Sequence, residues 1–302
     1  MIPRAGGAPR PPLSYVLPIR REQYAGDVAE LAAYLHRIAA RAEVIVVDGS
    51  PPPVFAAHAR SFGDVGATWR HLPPDPRLRF RNGKVNGVLT GLGVATADRV
   101  IVADDDVRYD EAPLEAVAGI LSDADLVRPQ NFFACAGPLP WHARWDTART
   151  LVNRAFGQDF PGTLGVRRSF VLGAGGYDGD VLFENLQLIR TVRARGGRVV
   201  EAPGIHIRRL PPTVGRFWSQ RVRQAYDELA QPGRLALFLA VLPAVAASAR
   251  RPRVLLAGAG VSIVLAEVGR RRAGGAAVFP FSASLFAPLW VLERGVCSWV
   301  AV

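Results

Sequence analysis

The sequence predicts an α/β layered domain with a mixed, mostly parallel sheet, followed by C-terminal hydrophobic, membrane-associated helices. Three observations predict it. Short β-branched runs, "EVIVVDGS" and "RVIVADDD", each end on acid. Stretches of helical periodicity alternate with them, and strands alternating with helices build parallel sheets covered on their faces. Past Leu229 the composition turns to three apolar blocks bracketed by arginines.

Taken in order, "SYVLPI" (Ser14–Ile19) predicts the first strand. Over residues 27–40, Val28, Leu31, Leu35, Ile38 and Ala39 recur at helical spacing. A second strand over residues 43–50 stops at Asp48-Gly49, and a Pro-rich loop follows. The strand beginning at Arg99 ends on Asp104, Asp105 and Asp106, after which Pro113 opens a helix with Leu114, Val117, Ala118 and Leu121 on one face. Ligands of such sheets bind beyond the carboxyl ends of the strands, the edge that would hold Asp48 and the three aspartates. "MIPRAGGAPRPP" has no apolar core of a signal peptide and reads as a flexible tail. The expected division is therefore a tail at 1–12, an α/β domain at 13–228 and membrane-associated helices at 229–302.

Composition narrows the function. The chain has 302 residues, 49% of them hydrophobic, and a net charge of +11. From Leu229 onward, eight arginines face only Glu267 and Glu293, so much of the excess charge lies beside apolar segments. That placement points to anionic lipid headgroups. No RNA-binding signature or zinc-finger spacing is present, which argues against nucleic acid. Cys135 and Cys297 stand far apart with no metal-type spacing, as expected of a reducing compartment. The apolar blocks at 234–249, 254–268 and 276–292 each fall short of the ~20 residues that span a bilayer comfortably. They either cross it or lie in its interface as arginine-flanked helices; burial in a soluble domain is the plainer alternative.

The aspartates carry the first chemical signal. A D-x-D at a strand end sends two carboxylates to one side, and Mg²⁺-like ions bind through such oxygens together with substrate phosphates. Asp104 and Asp106 have that spacing, although acidic turns are common. Lys84, in "RNGKVNGVLTGLG", is the only lysine among 36 arginines. Its retention suits a place where a compact point charge meets phosphate.

Seven motifs in order resemble the family 2 nucleotide-sugar glycosyltransferases, which include cellulose, chitin and hyaluronan synthases, polyprenyl-phosphate sugar synthases and ceramide glucosyltransferase. They are the strand proline Pro18, "VVDGS", "GKVNGVLTGL", "DDD", "GAGGYD" at 173–178, "LFENLQL" at 182–188 and "QRVRQ" at 220–224. The resemblance covers about residues 15–226. It implies a GT-A type Rossmann-like domain and an inverting displacement at the sugar's anomeric carbon, with Mn²⁺ or Mg²⁺ as cofactor. By the same resemblance, Asp48 would contact the nucleotide base, Lys84 the base or diphosphate, and Asp104 the ribose or metal. Asp106 would bind the metal. Pro18, Asp105, Gln220 and Arg223 complete the donor-binding set. His206 would finish the metal shell, as a histidine does in some enzymes of this fold; a histidine merely packed or hydrogen-bonded in its strand is the plainer alternative.

Two departures matter. The family's base is usually the Asp of a Glu-Asp pair, and here the pair is Glu184-Asn185. An amide accepts no proton at neutral pH, so Glu184 becomes the candidate base. The second is at Q-x-x-R-W, where Gln224 replaces the tryptophan of the processive relatives. Its loss favours transfer of a single sugar over polymer synthesis. Trp141, Trp145 and Trp218 are open to two readings, packing or an aromatic platform. The expected protein is a glycosyltransferase at the cytoplasmic membrane with its catalytic domain facing the cytosol. It would use a UDP- or GDP-sugar, a lipid or glycan acceptor and membrane lipids. The alternatives are a polyprenyl-phosphate sugar synthase and a non-catalytic nucleotide-sugar-binding membrane protein.

Overall fold

The computed structural model describes residues 13–24, 27–63, 66, 68–157 and 159–302, so the tail expected at 1–12 lies outside the described residues. The chain begins with β1 (Ser14–Ile19), α1 (Val28–Ala39), β2 (Glu43–Asp48), α2 (Pro52–Phe62), β3 (Trp69–Leu72), α3 (Gly83–Val94) and β4 (Arg99–Ala103). Both β1 and β2 are almost wholly buried, as strands covered on two faces must be. Along α1, Val28, Leu31, Tyr34, Leu35 and Ile38 form the buried stripe that its periodicity predicts. The expected Pro-rich loop is instead the helix α2. Pro52 and Pro53 occupy its first positions, where a missing N–H costs nothing and a fixed φ suits the helix.

Next come β5 (Val107–Arg108), α4 (Glu111–Ile120), β6 (Leu126–Phe133), α5 (Trp141–Ala155), β7 (Thr163–Arg167), α6 (Arg168–Gly173), α7 (Glu184–Ala194), β8 (Val199–Arg209) and α8 (Val214–Tyr226). The strand order is β3-β2-β1-β4-β7-β6-β8-β5. Strands β3, β2, β1 and β4 run parallel, whereas β7 is antiparallel to both β4 and β6. The sheet is therefore mixed and mostly parallel, as expected. Helix α3 lies close on β1: a Cβ on Gly91 would stand 2.3 Å from Val16 Cγ1, so only glycine admits this approach.

The chain ends with α9 (Pro232–Ala247), α10 (Pro252–Arg271), α11 (Phe281–Ser284) and α12 (Ala287–Ala301). Two compact units emerge. The first holds the described residues of Met1–Val107, Glu111–Pro129 and Gly162–Glu201; the second holds Arg108–Asp110, Gln130–Pro161 and Ala202–Val302. The composition change at Leu229 is therefore not the boundary of packing. Within the second unit, Ala148, Leu151 and Val152 of α5 share a core with Phe238, Ala266, Phe279, Ala283, Ala287 and Trp290. Arg154 of α5 locks this core, donating from Nε to Gly269 O at 3.0 Å and from Nη1 to Pro203 O at 3.2 Å. The helices cross so closely that a Cβ on Gly269 would lie 1.8 Å from Leu151 O. Among the described residues one helical stretch, Pro252–Ala277, is long and apolar enough to cross a membrane by length and composition. The second apolar block thus lies in a longer helix than expected, and the third is split between α11, which starts after Pro280, and α12, which starts after Phe286.

Candidate active site

Because β1, β2 and β4 run parallel, their carboxyl ends share one edge of the first unit, and Ile19 pairs in register with Asp48. The turn of three aspartates leaves β4 at this edge. Asn82 caps α3 by accepting the N–H of Lys84 at 3.1 Å, which sets Lys84 in the helix's first turn. Glu184 opens α7, a position where the helix dipole favours a carboxylate.

These residues converge on the lysine. Lys84 Nζ lies 2.6 Å from Asp104 Oδ1 and 2.7 Å from Glu184 Oε1. The three side chains are 23%, 24% and 14% exposed, so solvent screens them only in part. Burial by itself lowers the Lys84 pKa, but the charges of Asp104 and Glu184 override it and hold the ammonium protonated well above its ordinary range. The Asn82 amide stands 3.5 Å from Glu184 Oε2 and donates to Val181 O at 3.2 Å. Arg81 N donates to Asp180 Oδ1 at 2.9 Å, a further tie between the two segments. Burial raises the pKa of Tyr177, and the nearby Lys84 and Glu184 charges act on it in opposite senses; the phenol stays protonated.

Asp48 is held from several sides. Its Oδ1 accepts the N–H of Ser50 at 2.9 Å; His58 Nδ1 and His71 Nε2 lie 2.7 and 3.0 Å from Oδ2. Burial raises its pKa, yet the hydrogen bonds from His71, Ser50 and His58 outweigh that and hold the carboxyl well below the usual range. The His71 ring stacks on Phe55 with centroids 4.2 Å apart. Asp105 bonds Arg21 Nη2 at 3.0 Å, and the same guanidinium grips Asp27. Pro18 packs beneath α3, its Cβ 2.7 Å from where a Cβ on Gly87 would be.

The remaining expected residues belong to the second unit. The ring of His206, on β8, meets Phe132 and Phe279 edge-on. Burial, then the charge of Arg154, lowers its pKa to about 4. Gln220 and Arg223 share α8 and approach each other at 3.4 Å, with Arg223 exposed. The buried arginine of "QRVRQ" is Arg221, which donates to Phe217 O at 2.9 Å and to Asp146 Oδ1 at 3.2 Å. Gln224, in the place of the family's tryptophan, accepts from Arg294 at 3.2 Å. Trp141 and Trp145 lie 6.2 and 5.9 Å from the partly exposed Trp218, so the three form one aromatic cluster.

Sequence reading missed Arg21, His58, His71 and Tyr177. Asn82 was detectable as a helix-capping residue just ahead of a periodic run; no spacing rule pointed to the other four. A divalent cation suits the donors at this edge, since carboxylates two residues apart are hard oxygen ligands. Among the described residues no group of three or more His, Cys, Asp or Glu is arranged to hold a metal.

The strand order and the edge site define a GT-A type Rossmann-like fold. A mannosyltransferase from Pyrobaculum calidifontis, solved with GDP-Man and Mn²⁺, shares it. That structure is 18% identical, covers 93% of this chain and 88% of its own, and aligns with a TM-score of 0.55. A mannosyl-3-phosphoglycerate synthase from Rubrobacter xylanophilus aligns at 0.46, with 18% identity over 74% of this chain and 75% of its own, and adds no weight to the assignment. No known family's sequence profile matches the chain, and no curated protein does.

Proposed function

We propose that the chain is a metal-dependent, inverting glycosyltransferase that moves one sugar from a nucleotide-sugar donor to a membrane-proximal acceptor. The observation that carries this reading is Lys84 joining Asp104 and Glu184 across about a hundred residues of sequence. The GDP-Man and Mn²⁺ of the Pyrobaculum neighbour support it. Asp104 and Asp106 would hold Mn²⁺ or Mg²⁺, which when bound stabilises negative charge on the departing nucleoside diphosphate. Asp48 and Arg21 shape the edge where the nucleotide would lie, through the histidines and through Asp105. The Glu184 carboxylate accepts the acceptor hydroxyl's proton as that oxygen attacks the anomeric carbon. Before the donor arrives, Lys84 and Asn82 hold this carboxylate in place.

A thermal-shift screen of UDP- and GDP-sugars, with and without Mn²⁺, tests the donor, because a ligand of the native state raises the melting temperature by mass action. Asp106→Ala is expected to abolish the metal-dependent part of the shift. Glu184→Gln is expected to keep donor binding and lose on the order of a hundredfold or more in kcat; full activity would remove Glu184 as the base.

Asn185 favours a second reading, transfer to a polyprenyl phosphate, whose acceptor oxygen is already ionised and needs little base. Donor radiolabel would then enter a lipid from which mild acid releases it, and Glu184→Gln would lose little. Tight donor binding without hydrolysis or transfer would instead mark a non-catalytic protein. Association with a lipid surface is supported by the exposed Leu237, Leu256, Val261, Val264 and Val268 on α9 and α10. Arg250 and Arg251 stand at the turn between these helices, and Arg253 in the first turn of α10.

A further inference from the structure

We propose that Lys84 is the resident counter-ion of the donor site and makes nucleotide and divalent cation bind together; this rests on the glycosyltransferase reading. One ammonium serves two carboxylates, 2.6 Å from Asp104 and 2.7 Å from Glu184. Asp104 is also an expected ligand of the cation, and an ammonium in contact with its Oδ1 repels any second cation arriving there. All three groups are mostly shielded from water, so bulk solvent does little to weaken that repulsion. A cation alone must therefore displace Lys84 from Asp104 or bind beside it. A diphosphate brings negative oxygens that give Lys84 a new partner and leave Asp104 to the cation. Lys84 thereby couples the two ligands, and the same move releases Glu184 Oε1 from its ion pair when the donor is in place. Lys84 acts here as a positioning residue that exchanges partners, a role distinct from a fixed contact to the base or phosphate.

Coupling between ligands is reciprocal, so it can be read from either side without turnover. Mn²⁺ binding to the full chain is measured by the electron paramagnetic resonance of free Mn²⁺, with and without GDP or UDP. In the wild type, saturating nucleoside diphosphate is expected to tighten Mn²⁺ binding at least tenfold. In Lys84→Met, Mn²⁺ alone is expected to bind at least tenfold more tightly than in the wild type, and the coupling to fall below threefold. Unchanged Mn²⁺ affinity with intact coupling in Lys84→Met would overturn the proposal while leaving the donor-site reading standing. Failure of the wild type to bind Mn²⁺ under either condition would overturn both. Should Lys84→Met fail to fold, Lys84→Arg and Glu184→Gln decide the matter. Lys84→Arg is expected to keep coupling of tenfold or more. Glu184→Gln leaves the ammonium to Asp104 alone and is expected to weaken binding of Mn²⁺ alone at least threefold; tighter binding there would overturn the counter-ion role.

Discussion

Asp48 shows what a single buried carboxylate does at this edge. With Ser50, His58 and His71 all turned on it, Asp48→Asn replaces a charged acceptor by a neutral amide that cannot accept at both ends. The expected loss of stability is about 3 kcal/mol at pH 7, measured by urea denaturation. The pH dependence has a definite sign. The folded carboxyl lies below its ordinary value, so its contribution is present above the unfolded value of about 3.9. It is lost as pH falls below that value, because the unfolded chain then takes up a proton that the folded one refuses. The gap between wild type and Asp48→Asn should therefore hold from pH 6 to about pH 4 and narrow below that, and a gap that stays constant on further acidification would show that the charge does not matter. Residues of this kind divide by legibility. Lys84, Asp104 and Glu184 stood out singly, as the only lysine, a strand-end acid and an acid in a family-like segment. Their contact depends on how the loops before α3 and α7 fold, which no local pattern encodes. Arg21, His58 and His71 act only through other residues, and nothing in their own neighbourhood announced them.

The elements were easier to read than their contacts. Strand and helix alternation follows from periodicity, and β1 and α1 were read to within a residue of their ends. The prolines after Ser50 read as a loop and instead open a helix, because the same residues end one element and start the next. Close crossings were invisible, since a glycine in a periodic run says nothing about what approaches it. Two of them make opposite predictions. Gly91→Ala gains helix propensity of about 1 kcal/mol but pushes a methyl into Val16 Cγ1, for a net cost of about 1–2 kcal/mol. In a Val16→Ala background the obstacle is gone, and the same substitution should become neutral or stabilising in a double-mutant cycle. The Cβ of Gly269→Ala meets the backbone oxygen of Leu151, which no side-chain truncation relieves. Its cost should exceed about 3 kcal/mol and resist rescue by any shortening of neighbouring side chains.

At the scale of the whole molecule, composition located a change of character at Leu229 but not the unit that contains it. Residues 130–161 are polar enough to read as part of a soluble domain, yet α5 supplies the surface on which α10, α11 and α12 pack, with α9 joining through α12. Burial is a property of both partners, and only one of them was apolar throughout. The side of these helices turned from that core stays uncovered. Leu256, Val261, Val264 and Val268 on α10, and Trp299 and Val300 on α12, are each more than half exposed. Isolated exposed apolar residues are ordinary, but a run of them along a helix able to cross a membrane, with three arginines at its start, favours a lipid partner. An arginine near an anionic surface contributes about 1 kcal/mol. Replacing Arg250, Arg251 and Arg253 together by glutamine should thus weaken binding to phosphatidylglycerol vesicles by on the order of a hundredfold at low salt, as read by co-sedimentation. Raising the salt to about 0.5 M should largely erase the difference, because exposed charges are then screened within a few ångströms. Neutral phosphatidylcholine vesicles should bind wild type and variant alike through the apolar face. Wild-type protein that stays monodisperse without detergent and ignores both vesicles would end the membrane assignment, leaving the donor site in the first unit untouched.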